Sequence, residues 1–295
     1  MIKKMYKLQY LIFKVVRHLL LLCPEKTRFK FAEKLGVLGY YLIKKRRLIA
    51  LANLKLAFPD KTFEERKKIA IESYKIMAKA FISTLWFEDY LKTNVSLEDF
   101  QRVMDLKEKK GGLAVALIHM GNMEANLKAG EKYKTVTVAK AQRNPYIDKF
   151  ITDARQKLNV TLLKKSKQTS RELLEEIEKQ NMVALFTDHR DKGSSVKFFG
   201  EETVSPTGII NIALKHNLPL VIGYNVMHGD NTCTTYFTKE IELVRSSSFK
   251  DDVKINTQIV MDTIESIIKN HPNQWMWFHD RWKLSKKIKK EDINS

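Results

Sequence analysis

Only 11 glycines, 6 prolines and 2 cysteines occur in 295 residues. Such scarcity excludes a collagen-like, low-complexity or disulfide-stapled chain. Cys23 and Cys233 stand far apart, in no metal or redox spacing. Leu22 before Cys23 is too large for a lipoprotein cleavage site. No fixed-period repeat and no Gly/Ser- or Pro-rich linker divides the sequence. An uninterrupted apolar run long enough to span a bilayer, about 20 residues, is also missing. The most apolar amino-terminal stretch is broken by Lys14 and Arg17. Acidic residues are the last deficit: 34 Asp and Glu against 53 Lys and Arg leave a net charge of +19. That field attracts anionic partners, whether nucleic acid, lipid headgroups, phosphorylated substrates or an acidic carrier protein.

What is present reads as a packed globular chain, 44% hydrophobic and 10% aromatic. Leu8, Leu11, Ile12, Val15, Leu19 and Leu22 recur at helical spacing, with Lys7, Lys14, Arg17 and His18 opposite. The pattern fits a basic amphipathic helix in a membrane interface, and equally a helix packed on its own domain. Phe29 to Leu56 is helical in pattern and carries the basic run 44–47. Thr62 and Glu65 form a capping box that opens a helix with inner face Ala70, Tyr74, Met77, Phe81 and Leu85. After Gly111-Gly112 the pattern changes. Leu113 to Ile118, Thr135 to Ala139, Val160 to Leu163, Met182 to Thr187, Leu218 to Met227 and Thr232 to Thr238 read as strands. Helices begin near Glu124, at Asn144-Pro145, at Thr169, after Ser205-Pro206 and near Asp252. Alternation of this kind predicts an α/β fold with a mixed, mainly parallel central sheet flanked by helices. The expected division is a helical region over 1–100 and an α/β core over 101–295. Ligands bind such sheets at the carboxyl ends of strands, where His119 and Asp188 fall.

His119 ends the first buried strand and Glu124 follows five residues later at a helix start. Histidine is the natural base near neutral pH. A carboxylate on its other ring nitrogen fixes the tautomer and stabilises the imidazolium. Such a pair can deprotonate a hydroxyl attacking a thioester without any enzyme nucleophile. The spacing alone is common by chance, and a histidine at a strand end is more often structural.

The surrounding blocks carry a resemblance. Asn53-Leu54-Lys55-Leu56-Ala57-Phe58-Pro59, His119 with Glu124, and Arg143-Asn144-Pro145-Tyr146-Ile147-Asp148 with Arg155 follow in order. Asp188, Phe198-Phe199-Gly200, Ser205-Pro206-Thr207-Gly208, and Gln274-Trp275-Met276-Trp277-Phe278-His279 with Arg281-Trp282-Lys283 come after them. Together they resemble the late acyltransferases of lipid A biosynthesis, from about Arg46 to Lys283. The resemblance implies transfer of a fatty acyl chain from acyl carrier protein to a hydroxyl of an acylated glucosamine disaccharide phosphate, the lipid A precursor. It implies a glycerolipid-acyltransferase-like fold at the cytoplasmic face of the inner membrane, its anionic surface bound by the amino-terminal region. His119 is then the general base, Glu124 its orienting group and Arg155 an electrostatic support for the oxyanion. Lys140, Arg143, Asn144, Asp148, Asp188, Arg190 and Arg281 are expected to bind substrate. No metal, cofactor or nucleic acid is expected to take part, and a monomer is expected. Plainer readings stand beside these: Asp148 suits a first helical turn anyway, Asp188 can cap a turn, Arg190 sits in a solvated loop, and the tryptophans can be core or an interfacial belt.

The chain departs from the family pattern at Met123, Lys140, His189 and Asp280. At position 189 the family frequently carries glutamine. Another glycolipid or a lysophospholipid as acceptor remains a rival reading. A non-enzymatic basic protein would explain the charge, but not the histidine, arginine and tryptophan blocks together.

Overall fold

The computed structural model describes residues 2–286. The chain opens with helices α1 (Ile2–Leu21), α2 (Glu25–Leu42), α3 (Lys44–Ala57), α4 (Phe63–Ser83) and α5 (Phe87–Asn94). The capping box at Thr62 forms, with Glu65 reaching back to the Thr62 amide. The α/β part follows: β1 (Val95–Leu97), α6 (Phe100–Lys110), β2 (Leu113–Leu117), β3 (Thr135–Ala139), α7 (Pro145–Gln156) and β4 (Val160–Lys164). It continues with α8 (Thr169–Glu178), β5 (Met182–Phe186), β6 (Ser194–Phe198), β7 (Glu201–Ser205), α9 (Gly208–Lys215), β8 (Leu220–Met227), β9 (Cys233–Phe237) and α10 (Phe249–Asn270).

The sheet runs β1-β9-β8-β2-β5-β3-β4, and every neighbouring pair is parallel except β8 with β9. The mixed, mainly parallel α/β architecture expected from the sequence is therefore present. All five residues of β2 are buried, as a strand covered on both faces requires. The chain leaves β2 toward β3 on one side and later crosses to β8 on the other. β2 thus lies at a topological switch point, where α/β sheets open a crevice. Leu51, Leu54 and Tyr74 of the amino-terminal helices pack in one core with Ala114, Ile118, Ile222, Trp275 and Trp277.

Four features depart from the sequence pattern. The stretch over 29–56 is two helices, broken at Ile43 with φ −91° and ψ 69°. Phe81, expected inside, is exposed, because it borders a cavity rather than the core. The segment after His119, Met123–Glu131, is 3-10 rather than α-helical. β6 and β7 form an unexpected antiparallel hairpin.

The apolar stripe of α1 is uncovered, with Leu8 and Leu11 each 58% exposed and Leu19 57%. Its other side holds the protein: Tyr10 stacks on Tyr146, Phe13 meets Phe150 edge-on, and Arg17 donates to the Leu85 carbonyl. Among the described residues, no helix is long and apolar enough to cross a membrane.

Candidate active site

β2 and β5 are parallel neighbours in the register Leu117↔Phe186. Two residues beyond each come His119 and Asp188, side by side at the carboxyl edge. His119 Nδ1 lies 2.8 Å from Asp188 Oδ1, and the His119 amide donates to Oδ2 at 2.9 Å. The Trp275 indole donates to the same Oδ2 at 2.7 Å. The His119 ring stacks on Phe186 with centroids 4.0 Å apart. Burial alone would push the Asp188 carboxyl up. The neighbouring imidazole and the hydrogen bonds from His119 and Trp275 outweigh it and hold the group well below the usual carboxylate range.

The turn after His119 is fixed by short-range geometry. Gly121 has φ +58°, and a Cβ there would run into the Asn225 backbone. Only glycine fits both demands. Its amide donates to the Gln274 carbonyl, and Met120 forms a bridge with Trp275. Asn122, fully buried, accepts from the Glu124 amide and donates to Ser83.

Glu124 is not the carboxylate that holds His119. Its two oxygens lie 2.7 and 2.8 Å from Arg155 Nη2, and both side chains are about one-fifth exposed. The expected pairing of His119 with Glu124 gives way because Glu124 sits past the turn, whereas β5 delivers Asp188 directly beside the ring. Arg155 correspondingly meets Glu124 rather than standing free.

The expected substrate ligands scatter. Lys140 and Arg143 are exposed and line a cleft of about 450 Å³ with Ala141, Gln142, Asn144 and Ile147. Asn144 is occupied: its Oδ1 caps α7 through the Tyr146 amide and its Nδ2 donates to Tyr6 and Gln9 of α1. Asp148, on α7 with Arg155, does not share a partner with it. It accepts from Lys164 and the Gln142 amide, which hold its carboxyl below the usual range. Asp188 holds His119 rather than facing open solvent. Arg190 keeps its guanidinium without a hydrogen bond or ion pair among the described residues, while its amide donates to His279 Nε2 at 3.2 Å.

Arg281 departs furthest from expectation. It is fully buried and donates to Thr203 Oγ1, the Val204 carbonyl and Ser205 Oγ. Burial draws its guanidinium down to about 10. It pins β7 and cannot reach a phosphate from there. Trp275 and Trp277 are likewise core, not an interfacial belt.

Sequence reasoning missed the Asp188–His119 pairing, the Trp275 bond and the approach of His279 to Arg190. The available signal was the equal two-residue offset of His119 and Asp188 from the ends of two buried strands. It becomes readable only when those strands are known to be neighbours.

A second cavity, of about 490 Å³, opens between α2, α4 and the carboxy-terminal segment. Leu35, Met77, Phe81, Met276 and Phe278 line it, and His279 stands in its wall.

The chain matches the family described as bacterial lipid A biosynthesis acyltransferase over residues 2–284. It belongs to that family. The lipid A biosynthesis lauroyltransferase of Escherichia coli K12 is 23% identical over 274 residues, covering 88% of this chain and 86% of the relative. The lipid A biosynthesis palmitoleoyltransferase of the same organism is 23% identical over 260 residues, covering 85% and 83%. A lipid A biosynthesis acyltransferase of Haemophilus influenzae is 20% identical over 271 residues, covering 88% and 82%. In this acyltransferase the first and last blocks of the resemblance meet beside the His119–Asp188 pair. Asn53 Nδ2 donates to the carbonyls of Trp277 and His279, both at 2.7 Å, tying α3 to the segment that brings Trp275 onto Asp188.

Proposed function

We propose that this acyltransferase moves a fatty acyl group from acyl carrier protein to a hydroxyl of an acylated glucosamine disaccharide phosphate, with His119 as general base. The observation that carries the reading is the His119–Asp188 pair at the carboxyl edge of β2 and β5. Asp188 accepts at Nδ1, so the ring proton resides there and the Nε2 lone pair is left for the acceptor hydroxyl. As the hydroxyl oxygen attacks the thioester carbonyl, its proton passes to Nε2 and Asp188 stabilises the imidazolium. The tetrahedral intermediate then expels the thiolate, which takes the proton back from His119. A positioned base of this kind contributes roughly 10²–10⁴-fold.

Arg155, held by Glu124, supplies positive charge for the oxyanion. Lys140 and Arg143 at their cleft, with Arg190 beside Asp188, receive the substrate phosphates. The apolar cavity ending at His279 takes the acyl chain, since His279 meets the backbone two residues beyond Asp188. The boundary expected at residue 100 moves up to β1, which belongs to the sheet: helices α1 to α5 face the inner membrane through the open stripe of α1, and the α/β part from β1 onward performs the transfer.

Replacing His119 with alanine should abolish transfer from acyl carrier protein by the purified protein. A wild-type rate in that variant would remove the base from the scheme. Mass spectrometry of lipid A with and without the gene identifies the acceptor. Loss of one acyl chain is expected, and an unchanged profile would point to another glycolipid or a lysophospholipid.

A further inference from the structure

One donor atom from each of His119, Asp188 and His189 lies within 4.8 Å of the other two. The two rings meet edge-on with centroids 5.8 Å apart. Asp188 is locked by its bonds from His119 and Trp275, the kind of outer support that fixes a ligating carboxylate. His189 has no such anchor. Its Nε2 is 4.0 Å from Asp191 Oδ2, beyond hydrogen-bond reach, and its Nδ1 is buried without a hydrogen-bond partner among the described residues. A buried imidazole nitrogen left unpaired is costly unless something else fills its lone pair or takes its proton. Burial also keeps this ring neutral, the form that ligates metals.

Two neutral imidazoles and one carboxylate form a donor set for zinc and its neighbours, not for magnesium or calcium, which take oxygen. His279 is not a fourth ligand, since its Nε2 already accepts the Arg190 amide. Solvent is left to complete the coordination.

We infer that His119, Asp188 and His189 form an inhibitory site for a divalent transition-metal cation such as zinc. The ion takes one lone pair from each imidazole and one from the carboxylate. Any proton it displaces from the His119–Asp188 bond passes to solvent. Both the base and its orienting group are then engaged, and an acceptor hydroxyl finds nowhere to put its proton. The inhibitory half rests on His119 as base; the binding half does not.

The test titrates Co²⁺, as a spectroscopic stand-in for zinc, into the full chain in detergent and follows the visible ligand-field absorption. One ion should bind per chain, with zinc displacing it. His189→Gln should weaken binding by more than about tenfold, the minimum seen when even an outer support is removed. At pH 7.5, where the ring is neutral folded or unfolded, its thermal midpoint should stay near wild type, because the ring makes no hydrogen bond among the described residues. His18→Gln, at an exposed position on α1, should bind as wild type. Zinc should suppress acyl transfer by wild type and spare His189→Gln. Equal cobalt binding by wild type and His189→Gln, or none by either, would overturn the site. Metal bound through His189 with transfer undiminished would instead overturn the inhibitory half, and with it the assignment of His119 as base.

Discussion

Asp188 receives three hydrogen bonds, two of them from His119 and one from Trp275. An asparagine there keeps the shape but can present its amide to the ring, which favours the wrong tautomer. For Asp188→Asn the turnover number should fall by up to about 10⁴, the scale seen when an orienting carboxylate is neutralised in a catalytic triad. KM should move little, because Asp188 acts through His119 and not on the substrate. A change confined to KM, with turnover intact, would instead make Asp188 a substrate ligand. Acidity provides a second residue-scale expectation. Burial is the first cause that lowers both His189 and His279 from the ordinary 6.5, and it outweighs the nearby Asp188 carboxylate, which pulls both up. Below that ordinary value the unfolded chain takes up protons that the folded rings refuse. The stability these rings contribute is thus present above it and lost as pH falls through the window beneath. Thermal midpoints should drop from pH 7.5 to 5.5, and His189→Gln should shallow that slope. A slope identical in the variant would place the titration elsewhere.

Among the elements, the β6–β7 hairpin carries the strongest structural demand. Phe199 and Gly200, with φ +53° and +78°, make its two-residue turn. Arg281 fastens the hairpin from inside through Thr203, Val204 and Ser205. In Arg281→Leu three acceptors, two of them buried, lose a charged donor. Stability should fall by about 3 kcal/mol or more, given roughly 1.5–3 kcal/mol for each charge-assisted bond. Chemical denaturation reads this directly. A fold of wild-type stability with a raised KM would return Arg281 to the phosphate-binding role the motif suggested. The same hairpin marks where local pattern stops informing. β2 and β5 are legible because each is a short apolar run, β3 and β4 because each is a short stretch rich in Val and Thr or Leu, and the capping box at Thr62 is a purely local device. Phe198-Phe199-Gly200 reads as a motif, yet its φ values depend on the turn it closes. Glu124 is the nearest acid to His119 in sequence and Asp188 the nearest in space. The difference is made by the order of strands in the sheet, which no spacing along one strand encodes. Arg281, too, reads as a ligand by residue type. Only packing reveals that it is enclosed.

At the scale of the molecule, an excess of positive charge and uncovered apolar rows occur together. α1 leaves Leu8, Leu11, Ile12, Val15 and Leu19 open, while α2 leaves Phe31, Leu38 and Leu42. Lys44, Lys45 and Arg46 begin α3 directly after α2, all exposed. Aliphatic rows beside cations suit an anionic bilayer surface, where each Lys or Arg near the headgroups adds about 1 kcal/mol. Each leucine that enters the acyl boundary adds about 1.5–3 kcal/mol when fully buried. The combined Leu8→Ser, Leu11→Ser and Leu19→Ser variant should therefore lose well over tenfold in affinity for vesicles containing phosphatidylglycerol. Its thermal midpoint should stay near wild type, because none of the three leucines is in the core and the contacts of α1 to α7 use Tyr10, Phe13 and Arg17 instead. Added salt should weaken the wild-type protein on these vesicles and matter far less on neutral ones. Sedimentation with vesicles separates the two contributions. If the triple variant pelleted as wild type does, the exposed stripe of α1 would need a different occupant, and the basic turn of α3 would have to hold the membrane alone.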